Sequence, residues 1–198
     1  MLLRLFGLTL VRLWFRFRVR GRERLPVDGP FIVASNHCSF IDPVILQAAC
    51  RRQLTWLMTD SIFNVRWARW FFRMMRCIPV RERDGSALRE GLAALARGEA
   101  VAIFPEGGLS PDGTLQRGHA GVGTLAIRSG VPVIPAFLSG TRRAFPRGQV
   151  VPRRGSVEVE FGEVLRFDGS GGSRDDSRAA AAAVMAALAR LQEARAER

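Results

Sequence analysis

The chain has 198 residues, and 47% of them are hydrophobic, which is typical of a single folded domain and argues against an intrinsically disordered protein. Its net charge of +12 comes from 30 basic residues, all of them arginine, against 18 acidic ones. This charge favours anionic partners such as a phospholipid surface or a phosphate-bearing substrate. The three cysteines cannot all pair and lack the spacing of metal ligands, so we expect reduced thiols and no metal site (Cys38, Cys50, Cys77).

The N-terminal residues 1–17 are strongly apolar, but three arginines interrupt them (Arg4, Arg12, Arg16). The longest uncharged stretch within residues 1–17 is far shorter than the roughly 20 residues that a membrane-spanning helix needs. We predict a helix over Leu2–Phe15, either lying in the membrane interface or buried against the rest of the protein. We assign residues 1–24 to an amphipathic, membrane-contacting segment.

Further along, short apolar runs alternate with longer amphipathic ones. We predict strands at Phe31–Ser35, Leu54–Met58, Ile78–Arg81, Ala100–Phe104, Val131–Phe137 and Ser156–Phe161. We predict helices at Pro43–Arg51, Ile62–Arg76, Ala87–Arg97, Ala120–Arg128 and Asp176–Glu193. This alternation predicts an α/β fold in one domain, with a mixed, largely parallel sheet flanked by helices. The core would span residues 25–168, followed at 169–198 by a flexible loop and a C-terminal helix that packs on the core.

The predicted helix Ile62–Arg76 carries an unusual surface. Four arginines spaced three, four and three residues apart would form one stripe along it (Arg66, Arg69, Arg73, Arg76). Aromatic and methionine side chains, including Trp67 and Trp70, cover much of the remainder. Such a surface suits the headgroup region of a membrane, although an amphipathic helix packed on the sheet would also fit.

The segment Asn36-His37-Cys38-Ser39-Phe40-Ile41-Asp42-Pro43 follows the first predicted strand, at a position where α/β folds place polar functional side chains. In one interpretation Asp42 is only the N-cap of the next helix, since Pro43 suits the first helical position. In the other, Asp42 accepts a hydrogen bond from one ring nitrogen of His37 and prepares the other nitrogen to act as a general base. A thiol nucleophile at Cys38 is the less favoured alternative, because adjacent side chains usually point apart.

A second segment, Phe104-Pro105-Glu106-Gly107, follows another predicted strand. Proline ends the strand and glycine permits a sharp turn, so Glu106 is either a solvated turn residue or a site carboxylate that orients a substrate. Two more segments accompany it. Residues 77–83 form a strand that ends in Arg81 and Arg83, and residues 131–136 form an apolar strand with two prolines.

These four segments, in this order over residues 36–135, resemble the four sequence blocks of the glycerolipid acyltransferases, the family of the bacterial 1-acylglycerol-3-phosphate acyltransferases. The resemblance implies a glycerol-phosphate acyltransferase-like fold. It also implies that His37, oriented by Asp42, takes the proton from an acceptor hydroxyl, which then attacks the thioester of acyl-CoA or acyl-carrier protein without a covalent acyl-enzyme. An arginine of the second block, Arg81 or Arg83, would bind the acceptor's phosphate, and Glu106 and Gly107 would line the acceptor site.

The chain departs from the family pattern where many members have Thr-Arg-Ser after the Phe-Pro-Glu-Gly block. Here Gly108-Leu109-Ser110 stands in that place, so a cation near the acceptor is missing. Arg117 could replace it from the following loop. The departure keeps open an acceptor other than 1-acylglycerol-3-phosphate, including an amino-acid-derived lysolipid.

The resemblance therefore predicts a membrane-associated O-acyltransferase that makes phosphatidic acid. Its expected partners are a phospholipid surface, a lysophospholipid, and acyl-CoA or acyl-carrier protein as co-substrate, with no other cofactor. We expect a peripheral or monotopic protein at the cytoplasmic face of the cell membrane. A nucleic-acid-binding protein is the less favoured alternative, because the arginines are spread along the chain without a known DNA- or RNA-binding signature.

Overall fold

The computed structural model describes residues 9, 11–81, 84–168 and 172–197. Seven strands are present, at Arg16–Arg20 (β1), Phe31–Ser35 (β2), Leu54–Thr59 (β3), Cys77–Val80 (β4), Ala100–Ile103 (β5), Val133–Ser139 (β6) and Ser156–Phe161 (β7). The helices are Asp42–Ala49 (α1), Asp60–Phe63 (α2), Arg69–Met74 (α3), Ser86–Ala96 (α4), Gly121–Ser129 (α5), Thr141–Ala144 (α6) and Arg174–Ala196 (α7). A 3-10 turn lies at Arg22–Arg24, and residues 11–14 are helical.

The seven strands form one sheet in the order β1-β7-β6-β2-β5-β3-β4. All neighbouring strands are parallel except β6 and β7, which are antiparallel. All five residues of the central strand β2 are buried, as expected for a parallel strand covered on both faces. The sheet confirms the predicted α/β class with its mixed, largely parallel topology.

Two hydrophobic clusters cover opposite faces of the sheet. Phe31 and Val33 of β2 pack against Ile45 and Leu46 of α1, whereas Ile32 faces the cluster that contains residues of α4, α5 and α7. The alternation of side chains along β2 therefore assigns α1 to one face and the other three helices to the other.

This arrangement creates a switch point between the adjacent strands β2 and β5. From β2 the chain runs through α1 to β3 on one side, whereas from β5 it runs through α5 to β6 on the other side. The connections leave in opposite directions, so a crevice opens at the carboxyl ends of these two strands, where ligands of open α/β sheets bind. The two segments around His37 and Glu106 follow directly after β2 and β5.

The predicted strands agree with the structure to within a few residues, but β1 was missed. Residues 16–20 had been placed in the N-terminal segment, whereas they form an edge strand paired with β7. The arginines of β1 alternate with Phe17 and Val19, and Arg20 forms an ion pair of 2.6 Å with Glu158 of β7. The predicted helix Leu2–Phe15 lies largely outside the described residues.

The prediction of one continuous helix over Ile62–Arg76 was wrong. The structure forms two short helices, α2 and α3, separated by turns over residues 64–68. Asn64 and Val65 have modest helix propensity, and the Asn64 side chain accepts a hydrogen bond of 3.2 Å from Arg69 across the break. None of the helices formed by the described residues combines the length and apolar character needed to cross a bilayer.

The C-terminal helix α7 packs on the core through α5. A side chain at Gly123 of α5 would overlap the backbone carbonyl of Ser177 in α7, so glycine allows the two helices to approach closely. Ser173 begins α7 with a reciprocal capping box with Asp176, which fixes where the helix starts.

Candidate active site

His37 and Asp42 form a hydrogen-bonded pair directly after β2. The Nδ1 atom of His37 lies 3.0 Å from Oδ2 of Asp42. The Asp42 side chain is fully buried, whereas 15% of the His37 side chain remains exposed. The second ring nitrogen of His37 is therefore left available, which is the arrangement of a histidine general base held by a carboxylate.

Asp42 does not cap α1, as one of the two interpretations of the sequence had it. The helix begins at Asp42 itself after Ile41, and Asp42 turns its carboxylate back into the preceding loop. There Oδ2 also accepts backbone N–H bonds of 2.7 Å from both Cys38 and Ser39. These hydrogen bonds fix the position from which the buried carboxylate holds His37.

The His37 ring is also fixed from the side. It stacks on Phe104, which follows β5, with ring centroids 3.9 Å apart and planes 9° from parallel. Phe104 in turn contacts Trp56 of β3, with centroids 5.6 Å apart. An aromatic platform and a hydrogen-bonded carboxylate together restrict both rotation and tilt of the imidazole.

Glu106 is brought next to His37 and is buried. Its two oxygens accept backbone N–H bonds of 2.9 Å, one from His37 and the other from Gln116. Burial raises the pKa of Glu106, and these two hydrogen bonds partly offset that effect. Glu106 therefore joins the loops after β2 and β5 to the loop before α5. Its predicted contact with the acceptor stays a prediction.

The loop before α5 approaches the same site. Gln116 contacts Glu106, the exposed Arg117 follows it, and the ring of His119 lies where a side chain at Gly107 would stand, within 2.8 Å of that position. Gly107 has the φ value of +71° that favours glycine. Sequence reasoning left His119 out of the candidate residues, although its position beside Arg117 in a loop before a helix was the available signal.

Of the two arginines predicted to bind phosphate, the structure describes Arg81. Arg83 lies outside the described residues. Arg81 follows β4, with its exposed side chain 4.0 Å from Asp60 of α2. Three strand spacings, or about 14 Å, separate β4 from β2, so Arg81 lies at the same edge of the sheet as His37 but is not in contact with it.

Cys38 is the next residue after His37, but its thiol contacts Thr141 and is not part of the His37–Asp42 pair. Its sulfur lies 3.3 Å from the hydroxyl of Thr141, in a buried position. Burial first and the charge of Asp42 second raise the pKa of Cys38 to about 11. A thiol in this state is protonated at neutral pH and is a poor nucleophile. Elsewhere among the residues that the structure describes, no three His, Cys, Asp or Glu side chains are grouped as metal ligands would be.

The fold and the His–Asp pair define the class of protein. The sequence model of the acyltransferase family matches residues 16–139, which is more than half of the chain, and the chain belongs to that family. The predicted resemblance to glycerolipid acyltransferases is thereby confirmed. Among solved structures it is similar to the 1-acyl-sn-glycerophosphate acyltransferase PlsC of Thermotoga maritima, with a TM-score of 0.76 and 26% identity over 96% of this chain and 78% of that one.

Several curated proteins with a similar sequence are named 1-acyl-sn-glycerol-3-phosphate acyltransferases. The chain is 31% identical over 152 residues to a chloroplast 1-acyl-sn-glycerol-3-phosphate acyltransferase of Arabidopsis thaliana, and 29% identical over 152 residues to the 1-acyl-sn-glycerol-3-phosphate acyltransferase of Bacillus subtilis. These matches cover 74% and 75% of this chain, and 42% and 73% of the two relatives. The chain thus spans less than half the length of the plant relative.

Proposed function

We propose that the protein is a membrane-surface O-acyltransferase that moves an acyl chain from a thioester to the free hydroxyl of 1-acylglycerol-3-phosphate. The hydrogen bond between His37 and Asp42 at the switch point is the observation that carries this proposal. The names of the relatives from Arabidopsis thaliana, Bacillus subtilis and Thermotoga maritima support the acceptor.

The reaction follows from the position of the imidazole. With Nδ1–H donating to Asp42, the other nitrogen of His37 takes the proton from the acceptor hydroxyl. The oxygen attacks the thioester carbonyl, a new ester C–O bond forms, the C–S bond breaks, and the leaving thiolate receives the proton from His37. Because the acceptor is itself the nucleophile, no acyl-enzyme is required, in keeping with the protonated state of Cys38.

The surface of α2, α3 and the turns between them supports a location on the membrane. Trp67 is 81% exposed and Trp70 is 61% exposed, and Ile62 and Val65 add apolar area beside them. All four arginines of the predicted stripe are exposed as well (Arg66, Arg69, Arg73, Arg76). Exposed indole rings beside arginines are suited to the boundary between headgroups and acyl chains. We place this surface on the cytoplasmic face of the cell membrane.

The test is acyl transfer by purified protein on lipid vesicles, with radiolabelled acyl-CoA and 1-acylglycerol-3-phosphate. We expect His37→Ala to lower kcat by at least about a hundredfold, because a positioned general base contributes at least that much. The matched variant is His119→Ala, which removes the other histidine, and we expect it to retain more than a tenth of the activity. Equal activities of His37→Ala and wild type would refute the proposal.

A second acceptor class deserves its own comparison because of Gly108. This residue is exposed, and a side chain built there would meet nothing within 4 Å, so the space occupied by Thr in many family members is open. A panel of lysolipids with and without a terminal phosphate would separate the acceptors. A preference for a lysolipid without that phosphate would reject phosphatidate formation while leaving the acyltransfer chemistry intact.

A further inference from the structure

A large cavity lies on the side of His37 that the proposed mechanism leaves unused. Its volume is about 1150 Å³, and it extends from Asn36 and Cys38, the two neighbours of His37, along the end of β6 towards the C-terminal end of α7. In the sheet order this side is opposite to β3 and β4, which are next to the exposed tryptophans and carry Arg81. His37 thus lies in the chain between two residues that line this cavity, and at the same edge of the sheet as the ends of β3 and β4.

The charge of this cavity is strongly one-sided. Six arginines line it, against a single acidic residue, Asp112 (Arg142, Arg143, Arg147, Arg153, Arg154, Arg195). The side chain of Asp112 is already engaged, because one of its oxygens accepts hydrogen bonds from Ser110 and Thr114. Arg195 forms an ion pair of 3.9 Å with Glu158, which leaves five arginines of like charge around the cavity. These charges repel each other, so a bound polyanion would relieve that repulsion.

Several of these arginines are held in place by contacts that leave their charge uncompensated. Arg142 and Arg147 donate to the backbone carbonyls of Pro111 and Leu109, 3.1 Å and 3.0 Å away. Arg154 lies over the ring of Trp14, at 5.0 Å from its centroid. Contacts with carbonyls and a ring orient a guanidinium without neutralising it, which is the state of a preformed phosphate site.

Arg143 and Arg153 are the freest of the set. Both are exposed, and among the residues that the structure describes, no carboxylate lies within ion-pair distance of either. Ser139 also lines the cavity, and its hydroxyl is buried without a hydrogen-bond partner among the residues that the structure describes.

We infer that this arginine-lined cavity binds the phosphorylated nucleotide of a coenzyme A thioester, so that the acyl donor reaches His37 from the β6 side and the acceptor from the β4 side. Coenzyme A carries a diphosphate and a 3′-phosphate at one end and the thioester at the other end of a long arm. A cavity of about 1150 Å³ fits a small phosphorylated ligand, whereas an acyl-carrier protein would present a protein surface to it. The inference rests on the proposed function, which requires a thioester donor.

Direct binding of free coenzyme A tests the inference without relying on turnover. In calorimetric titrations we expect the double variant Arg143→Gln/Arg153→Gln to bind coenzyme A at least about tenfold more weakly than wild type, because charge-assisted hydrogen bonds to phosphate are lost. The matched control is Arg128→Gln/Arg190→Gln, which removes the same charge from exposed positions outside the cavity. We expect the control to stay within about twofold of wild type.

The wild-type protein provides a second measurement that no folding defect can affect. Coenzyme A should bind more tightly than dephospho-coenzyme A, which lacks the 3′-phosphate, and much more tightly than pantetheine, which lacks the nucleotide. Equal affinity for all three would overturn the inference. Binding of an acidic carrier protein with no binding of coenzyme A would overturn it as well.

Steady-state kinetics assign the cavity to one substrate. We expect the double variant to raise the KM for acyl-CoA about tenfold or more, with the KM for 1-acylglycerol-3-phosphate within about twofold of wild type. A rise in the acceptor's KM alone would assign the arginines to the acceptor and refute the inference. If coenzyme A binding depends on Arg143 and Arg153 but no acyl transfer occurs, the proposed function fails and the cavity assignment stands. If acyl transfer occurs but the double variant binds coenzyme A as tightly as the control variant, the cavity assignment fails and the proposed function stands.

Discussion

One oxygen of Asp42 holds the ring of His37, the proposed general base. Oδ2 collects three hydrogen bonds, from the His37 ring and from the backbone of Cys38 and Ser39. An asparagine at this position can still place an oxygen where the two backbone N–H groups need it. It cannot supply the negative charge that stabilises the imidazolium formed during catalysis.

We therefore expect Asp42→Asn to fold and to lower kcat by at least about a hundredfold, with little change in either KM. The measurement is acyl transfer at saturating concentrations of both substrates, with the thermal unfolding of the variant recorded beside it. Asp168→Asn, at an exposed position, serves as the control for loss of one carboxylate. A variant with a normal melting temperature and normal kcat would contradict the role given to Asp42.

The rate at which the Cys38 thiol reacts depends on pH, and this rate tests whether Cys38 could act as a nucleophile. Its pKa lies near 11 instead of 9.0, so at any pH below about 9 the native protein contains about a hundredfold less thiolate than an unfolded chain. Alkylation of Cys38 by iodoacetamide should be slower in the native protein by about this factor and should accelerate as the pH rises. Peptide mass spectrometry gives the rate. Rapid modification at pH 7 would instead indicate a reactive cysteine and reopen a thiol mechanism.

The site could be predicted from sequence only where its residues are close together along the chain. His37 and Asp42 are five residues apart, and their hydrogen bond was one of two open interpretations. The bond from the His37 backbone to Glu106 spans 69 residues, and no local pattern specifies it. The stacking of His37 on Phe104 likewise depends on β2 and β5 being neighbours, which is a property of the sheet.

At the scale of elements, the contact between α5 and α7 depends on one missing side chain. We expect Gly123→Ala to lower the free energy of unfolding by at least about 1 kcal/mol, because overlap with the Ser177 carbonyl outweighs the higher helix propensity of alanine. Gly121→Ala, in the same helix but with open space around it, should be neutral within about 0.5 kcal/mol. Urea unfolding of both variants makes the comparison. Equal stabilities would show that α7 adjusts to the added methyl group.

The surface of α2 and α3 makes a separate prediction about the membrane. Replacing both Trp67 and Trp70 by alanine should weaken binding to anionic vesicles by about tenfold or more, because two indole rings lose their contact with the interface. Val150→Ala/Val151→Ala, which trims an exposed apolar pair between β6 and β7, is the control. Vesicle sedimentation measures the partition. Unchanged binding of the tryptophan variant would move the membrane contact to another part of the protein.

The sequence predicted six of the seven strands from short apolar runs, which are continuous in the largely buried strands β2, β5 and β6 and alternate with glutamate in β7. It missed β1, since an alternation of arginine with Phe17 and Val19 resembles the charged end of an amphipathic segment. The residues of β7 opposite Arg18 and Arg20 are Glu158 and Glu160, and Glu158 forms the ion pair with Arg20. Those complementary charges are about 140 residues away along the chain, so a local pattern could not reveal them.

At the scale of the whole molecule, the charge of +12 favours binding to an anionic bilayer. We expect binding to vesicles that contain an anionic lipid to weaken strongly between about 50 and 500 mM salt, because screening shortens the range of the arginine charges. A residual, salt-resistant part should remain from the exposed tryptophans. Sedimentation over a salt series tests both parts. Equally tight binding to zwitterionic vesicles at low salt would contradict the electrostatic part.

The pairing of β1 also affects the order in which the chain can fold during synthesis. In the sheet β1 has β7 as its sole neighbour, and Arg16 lies opposite Ser156, so this strand has no partner until most of the chain has left the ribosome. For that interval Phe17 and Val19 of β1 lack the neighbouring strand and the core cluster against which they pack in the folded protein, so β1 is an exposed strand with apolar side chains until β7 follows.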